Sequence, residues 1–208
     1  MERVYLVRHG ATPWNETGRF QGHSDIELSD LGQTQAAHVA RRLARTAIEA
    51  VYTSPLKRAM ETAAAIASQC GCTPQPDPRL REAHFGDWEG MTFQEFAKAW
   101  PDRVRQWVGD PLDTRPPGEG AETLRELENR AMEALKDILA RHDGGKVVIV
   151  GHGGSIRAFI TRALGSDLSI YRRIRLDNCS ISRLEVHGDH FVIGGLNDTE
   201  HLDDGEKE

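Results

Sequence analysis

Apolar residues follow two rhythms along this chain. Val4-Tyr5-Leu6-Val7 and Val147-Val148-Ile149-Val150 are short unbroken runs of strand length, too short to span a bilayer. Between them, apolar positions recur every three or four residues. Ser29 caps a predicted helix whose apolar face carries Leu31, Val39 and Leu43. Ala50-Val51-Tyr52-Thr53 reads as a strand, and Ser54-Pro55 opens an alanine-rich helix with proline in its first turn. Thr123 precedes the longest helical pattern, with Leu124, Leu127, Ala131, Ala134 and Ile138 on one face and Gly144-Gly145 as its stop. Ser180–Val186 and His190–Gly194 alternate as strands joined by Gly188-Asp189 at the sheet edge.

The order β-α-β-α predicts an α/β fold, a three-layer α/β/α sandwich with a mostly parallel central sheet and helices on both faces. One domain over residues 1–208 accounts for the length. Residues 84–120 break the rhythm. They hold three of the four tryptophans (Trp88, Trp100, Trp107) and the breakers Pro101, Pro111, Pro116 and Pro117, and show no strand period. They read as a small cap inserted over one end of the sheet. The acidic tail, about 203–208, is expected to fray.

Composition narrows the function classes. Charged residues make up 28% of the chain and the net charge is −6, which predicts neither a nucleic-acid nor a membrane partner. The N-terminus lacks a signal-peptide layout, and Cys70, Cys72 and Cys179 read as reduced thiols, so the expectation is a cytoplasmic protein. No metal-ligand spacing is present, and neither a metal nor a cofactor is expected.

Ligands of open α/β sheets bind at the carboxyl ends of the strands. His9 stands at that address after Val4–Val7, and His152 after Val147–Val150, both beside glycines. Arg8 adjoins His9, and Arg58 falls near the start of the helix after the second strand. Two arginines and two histidines converging on one edge make poor core and a good cradle for a phosphate-like dianion. Other phosphate chemistries leave marks that are missing here. Arg183 follows Cys179 too closely for a cysteine phosphatase loop, and Asp-x-Asp and Gly-x4-Gly-Lys patterns are absent. Arg157 stands where a serine-hydrolase elbow needs its last glycine.

Arg8-His9-Gly10-Ala11-Thr12, Asn15, Gln21-Gly22, Leu28-Ser29-Asp30-Leu31-Gly32, Thr53–Ala59, Glu82 with Phe85–Gly90, and Gly151–Gly154 together resemble the histidine phosphatase superfamily, which includes the phosphoglycerate mutases. The motifs run in family order over almost the whole chain. Ala11 departs from the family, which usually shows Glu or Gln there. The resemblance implies that His9 is the nucleophile, that Arg8, Arg58 and His152 clamp the phosphoryl oxygens, and that Glu82 is the acid and then the base. It adds Asn15, Gln21, Gly22 and Gly153 as phosphate-binding positions. Desolvation under the tryptophan-rich cap is the expected means of tuning Glu82. Glu82-Ala83-His84-Phe85-Gly86 and the 70 positions from Glu82 to His152 are similar to the phosphatase branch rather than to the mutases. The expected activity is metal-independent hydrolysis of a small phosphorylated metabolite through a phosphohistidine, of broad-specificity, α-ribazole-phosphate or phosphoserine type. A phosphoglycerate mutase is the alternative, and an idle phospho-ligand binder the third reading. Monomer and homodimer both remain open, with Ser180–Val186 taken as an edge strand able to pair.

Overall fold

The computed structural model describes residues 2–142, 144–188 and 190–203. Its sheet has six strands in the order β3-β2-β4-β1-β5-β6. These are β1 (Glu2–Arg8), β2 (Ala50–Thr53), β3 (Pro74–Pro76), β4 (Lys146–Gly151), β5 (Ile181–His187) and β6 (His190–Asp198). β1, β2, β3 and β4 run parallel, while β5 and β6 add an antiparallel hairpin beside β1. The apolar run in β4 is explained by burial on both faces. Val147 and Ile149 pack with α6 (Leu124–Leu139) and α7 (Gly153–Ala163). Val148 and Val150 pack on the opposite side with α2 (Asp30–Leu43) and α3 (Lys57–Cys70). A short α1 (Pro13–Glu16) follows β1.

α4 (Phe93–Ala99) and α5 (Pro101–Gly109) occupy the segment read as a cap. They close a small core in which Trp88 stacks on Phe96 at 4.5 Å and meets Trp107 edge-on at 5.4 Å. Arg172 lies over the Trp107 ring, 5.1 Å from its centroid, and ties this core to the loop after α7.

Several sequence expectations need correction. β5 lies between β1 and β6, so the segment read as Ser180–Val186 is not an edge; β6 is. Leu31 is 53% exposed, because at the second position of α2 it points away from the face that Val39 and Leu43 bury. Pro55 precedes the cap residue Leu56, and α3 starts at Lys57. α6 ends at Leu139, before Gly144-Gly145. β3 went unread because its sequence is Pro-Gln-Pro; at the sheet edge, with β2 alone as partner, a strand tolerates missing donors. Asp189 of the expected turn, and the tail from 204 on, lie outside the described residues.

The first turn of α2 touches the backbone of the β1–α1 loop directly. A Cβ on Gly10 would fall on the carbonyl of Gly32, and a Cβ on Gly32 on that of Ala11. No side chain can enter this contact without moving the loop that follows His9. Gly32→Ala should therefore cost about 1–3 kcal/mol of stability in urea unfolding. Gly109→Ala, where a Cβ meets nothing within 4 Å, should stay within about 0.5 kcal/mol of wild type. Equal stability of the two variants would refute the contact's importance.

Candidate active site

β1 and β4 end side by side, with Arg8 opposite Gly151 and the His9 N–H donating to the Gly151 carbonyl at 3.0 Å. The two histidines that follow these strands thereby meet. Their ring centroids are 5.1 Å apart, and both side chains are buried. His9 Nδ1 lies 2.7 Å from the Gly10 carbonyl; since a carbonyl only accepts, Nδ1 carries the proton and Nε2 keeps its lone pair. Burial, then Arg58 and Arg8, hold His9 well below the ordinary histidine value of 6.5, so the ring is neutral. Burial does the same to His152, with Arg58 next in weight. Among the described residues, neither ring nitrogen of His152 has a hydrogen-bond partner.

The arginines are held by carbonyls. Arg58, fully buried, donates from Nη1 to Ser24 O at 2.8 Å and from Nη2 to Gly22 O at 2.7 Å. Arg8 donates from Nη1 to Leu176 O at 2.7 Å. Burial lowers the Arg58 pKa to about 10, which leaves it charged at neutral pH. Neutral acceptors fix the direction of these groups without cancelling their charge. Among the described residues neither arginine forms a direct ion pair, and Glu82 is the carboxylate that acts most strongly on both.

Glu82 approaches from the cap side. Its carboxylate accepts the Gly154 N–H at 3.0 and 3.1 Å and the Ala83 N–H at 2.9 Å, at the first turn of α7. The tryptophans pack in the cap core rather than on this carboxylate. Gly154 fits this contact, because a Cβ there would collide with Glu82 Oε1 and the Leu127 side chain. Asn15 is partly consumed by its own turn, its Oδ1 accepting the Thr12 N–H and an N–H of Asn178. Gln21 is buried with Oε1 unpaired. Gly22, at φ 51°, contributes its carbonyl to Arg58.

Two residues given no role in the sequence reading, Glu89 of the Phe85–Gly90 motif and Arg130, organise this edge. Glu89 accepts hydrogen bonds from the N–H groups of His23, Ser24 and Phe85 and from the Ser24 hydroxyl, at 2.7–3.1 Å. It thus fixes the 21–24 loop whose carbonyls aim Arg58. Arg130 donates to the carbonyls of Arg79, Arg81 and Glu82 and pairs with Glu122 at 2.7 Å, clamping the backbone under Glu82. His23 meets the Glu82 carbonyl through Nε2 at 2.8 Å, and its ring lies 4.7 Å from that of His84. Cys179 is inert: burial pushes its thiol up to about 12. Among the described residues, no cluster of three or more metal-ligating side chains forms.

The family model for the histidine phosphatase superfamily (branch 1) matches residues 4–199. The chain belongs to that superfamily. A relative in Arabidopsis thaliana, phosphoglycerate mutase-like protein 4, is 39% identical over 203 residues, covering 97% of this chain and 87% of its own. Among solved structures, Bacillus stearothermophilus YhfR superposes with a TM-score of 0.90 at 32% identity, over 97% of this chain and all of its own. The phosphoserine phosphatase of Entamoeba histolytica, solved with 3-phosphoglyceric acid, reaches 0.86 at 30% identity with the same coverage. The α/β sandwich expected from the sequence is the histidine phosphatase fold.

Buried neutral histidines carry a stability consequence. The unfolded chain protonates both near pH 6.5, whereas the folded chain keeps them neutral well below that. Below pH 6.5 the unfolded state then binds more protons, and stability falls as pH falls. The loss should approach about 1.4 kcal/mol per pH unit per histidine. Urea unfolding at pH 7.5 and 5.5 should show a smaller drop for His152→Gln than for wild type; identical drops would contradict the assignment.

Proposed function

We propose that this protein is a metal-independent phosphomonoester hydrolase working through a phosphohistidine. The observation that carries the reading is the His9 ring, neutral and with Nε2 free, beside two guanidinium groups that are held by main-chain carbonyls rather than by direct ion pairs among the described residues. Nε2 attacks phosphorus as the ester P–O bond breaks. Arg8, Arg58 and His152 hold the phosphoryl oxygens where charge spreads in the transition state, with Asn15, Gln21, Gly22 and Gly153 around them. Glu82 gives a proton to the departing oxygen, which leaves as the alcohol. In the second half Glu82 takes a proton from water, the water oxygen attacks phosphorus, the P–N bond breaks, and inorganic phosphate leaves.

Substrates in this reading are small phosphorylated metabolites, the class named for the Entamoeba relative. A phosphoglycerate mutase would use the same phosphohistidine and differ only in passing the group to a hydroxyl instead of water. The compartment we assign is the cytoplasm, supported by three free thiols.

Phosphate release from an aryl phosphomonoester in excess EDTA tests the proposal. Wild type should turn over and His9→Ala should fall to background while remaining folded; substantial activity in that variant would rule out the phosphohistidine route. Glu82→Gln should slow alkyl phosphates at least about tenfold more than aryl phosphates, whose leaving groups scarcely need a proton. Equal losses on both would remove its role as the acid.

A further inference from the structure

A second cavity lies on the α2–α3 face of the sheet, away from the phosphoryl site. It is a recess of about 180 Å³ between the end of α2 and strands β1, β5 and β6. Tyr5, Leu43 and Ile181 form its apolar floor, continuous with the core under α2. Arg42, Thr46 and Arg183 stand around that floor. Among the described residues, the Arg42 guanidinium and the Tyr5 and Thr46 hydroxyls have no hydrogen-bond partner. Arg183 donates from Nη2 to the Gly194 carbonyl, while its buried Nε lies 3.5 Å from Glu185 without a hydrogen bond.

The glycines of β6 make this room. Glycine weakens a strand, and inside one it often marks a place where another group comes close. A Cβ on Gly194 would strike Arg183 Nε at 2.7 Å. A Cβ on Gly195, which lines the recess, would meet nothing within 4 Å. Gly194 therefore seats Arg183, and Gly195 keeps the recess open.

Charge selects the kind of ligand. Arg3, Arg42 and Arg183 are set against two carboxylates. Glu185 lies 3.5 Å from Arg183 and 4.0 Å from Arg3, and Asp198 lines the recess. Asp198 also accepts the Glu200 N–H at 3.0 Å, and the Glu200 side chain is exposed. Burial lowers the pKa of His201, which lies near Asp198 and Arg42, so its ring adds no charge at neutral pH. One positive charge is in excess, and Arg42 is the arginine of the three that has no carboxylate partner among the described residues. A single negative charge matches this balance, whereas a dianion would be repelled by Asp198 and Glu185.

We propose that the recess binds a small monocarboxylate with an apolar body, its carboxylate held by Arg42 and the Tyr5 and Thr46 hydroxyls, its body lying on Leu43 and Ile181. The volume is below the roughly 300 Å³ at which ordinary ligand pockets begin, which restricts the occupant to a small molecule. A guanidinium fork with its donors free suits a carboxylate in geometry as well as in charge. The site also touches the frame of the reaction centre. Tyr5 is three residues before Arg8 on β1. Ile181 pairs with Asp198 and lies two residues after Cys179, whose N–H donates to the Arg8 carbonyl. The inference stands apart from the hydrolase reading, because the recess shares no residue with the phosphoryl site.

Benzoate is the probe, with benzyl alcohol as its uncharged counterpart and inorganic phosphate as the dianion. Titrations of the full chain followed by amide chemical shifts should show saturable changes at Tyr5, Thr46, Ile181 and Gly195 with benzoate. Benzyl alcohol should bind at least about tenfold more weakly, and phosphate should leave these amides in place. Arg42→Gln should weaken benzoate at least about tenfold, and Tyr5→Phe about three- to tenfold. Gly195→Val, which fills the recess, should abolish the response. Arg45→Gln removes a neighbouring cation that does not line the recess and should bind benzoate as wild type does. Absence of saturation at these amides would overturn the site, as would equal affinity for benzyl alcohol or a matching response to phosphate. Equal losses in Arg42→Gln and Arg45→Gln would replace it with a diffuse basic surface. Arg42 is exposed in the last turn of α2, so its substitution leaves the fold intact and decides the matter even if Gly195→Val does not fold.

Discussion

Burying a guanidinium normally costs several kcal/mol unless a carboxylate pairs with it. Here the central arginine, Arg58, is fully buried and donates from its two terminal nitrogens to the carbonyls of Gly22 and Ser24, while its Nε has no partner among the described residues. That choice governs much of the surrounding structure. Carbonyls solvate the charge without cancelling it, but only if the backbone bearing them cannot move. Glu89 supplies that rigidity, accepting three backbone N–H groups and one hydroxyl around the 22–24 turn. Because Glu89 follows Trp88 of the aromatic core and bonds the Ser24 whose carbonyl holds Arg58, the packing of that core and the aim of the guanidinium become one problem.

The same device recurs on the opposite wall. Leu176 and Ile174 offer carbonyls to Arg8 and Arg157, and Arg130 gathers three carbonyls beneath Glu82. Positive charge is thus concentrated by main-chain dipoles in a protein whose net charge is −6. An acidic exterior and a cationic interior edge do not conflict, because water and salt screen the exterior charges while low local dielectric strengthens the interior field on the residues that face it. The two neutral histidines follow from that field, since a third and fourth positive charge there would be repelled as well as desolvated.

Much of this was legible in the sequence. β4 is a four-residue apolar run because both its faces are buried, and Val4–Val7 announces β1 in the same way. Arg8, His9, Arg58 and His152 could be placed at one edge from strand order alone. What stayed hidden depends on contacts between residues distant in sequence. Glu89 and Arg130 act on backbone groups, which carry no side-chain signature. The edge position of β6 and the inner position of β5 follow from pairing with β1, 169 residues or so away from the turn that seals His9. Leu31 misled because a helix's first turn overhangs its apolar face.

That sealing turn has a bearing on how the molecule is made. The Asn178 amide donates to the His9 carbonyl and the Cys179 N–H to that of Arg8, with Cys179 bent into the left-handed region at φ 54° to do so. His201 in turn donates to the Cys179 carbonyl through Nε2. The strand bearing His9 leaves the ribosome well before its neighbours β4 and β5 and the turn that fastens its end. Val4, Leu6 and Val7 therefore wait as an unpaired apolar ribbon until those segments follow. His9 is thus made before, and fastened after, the partners of its strand, and chaperone demand should track the exposure time of this one strand.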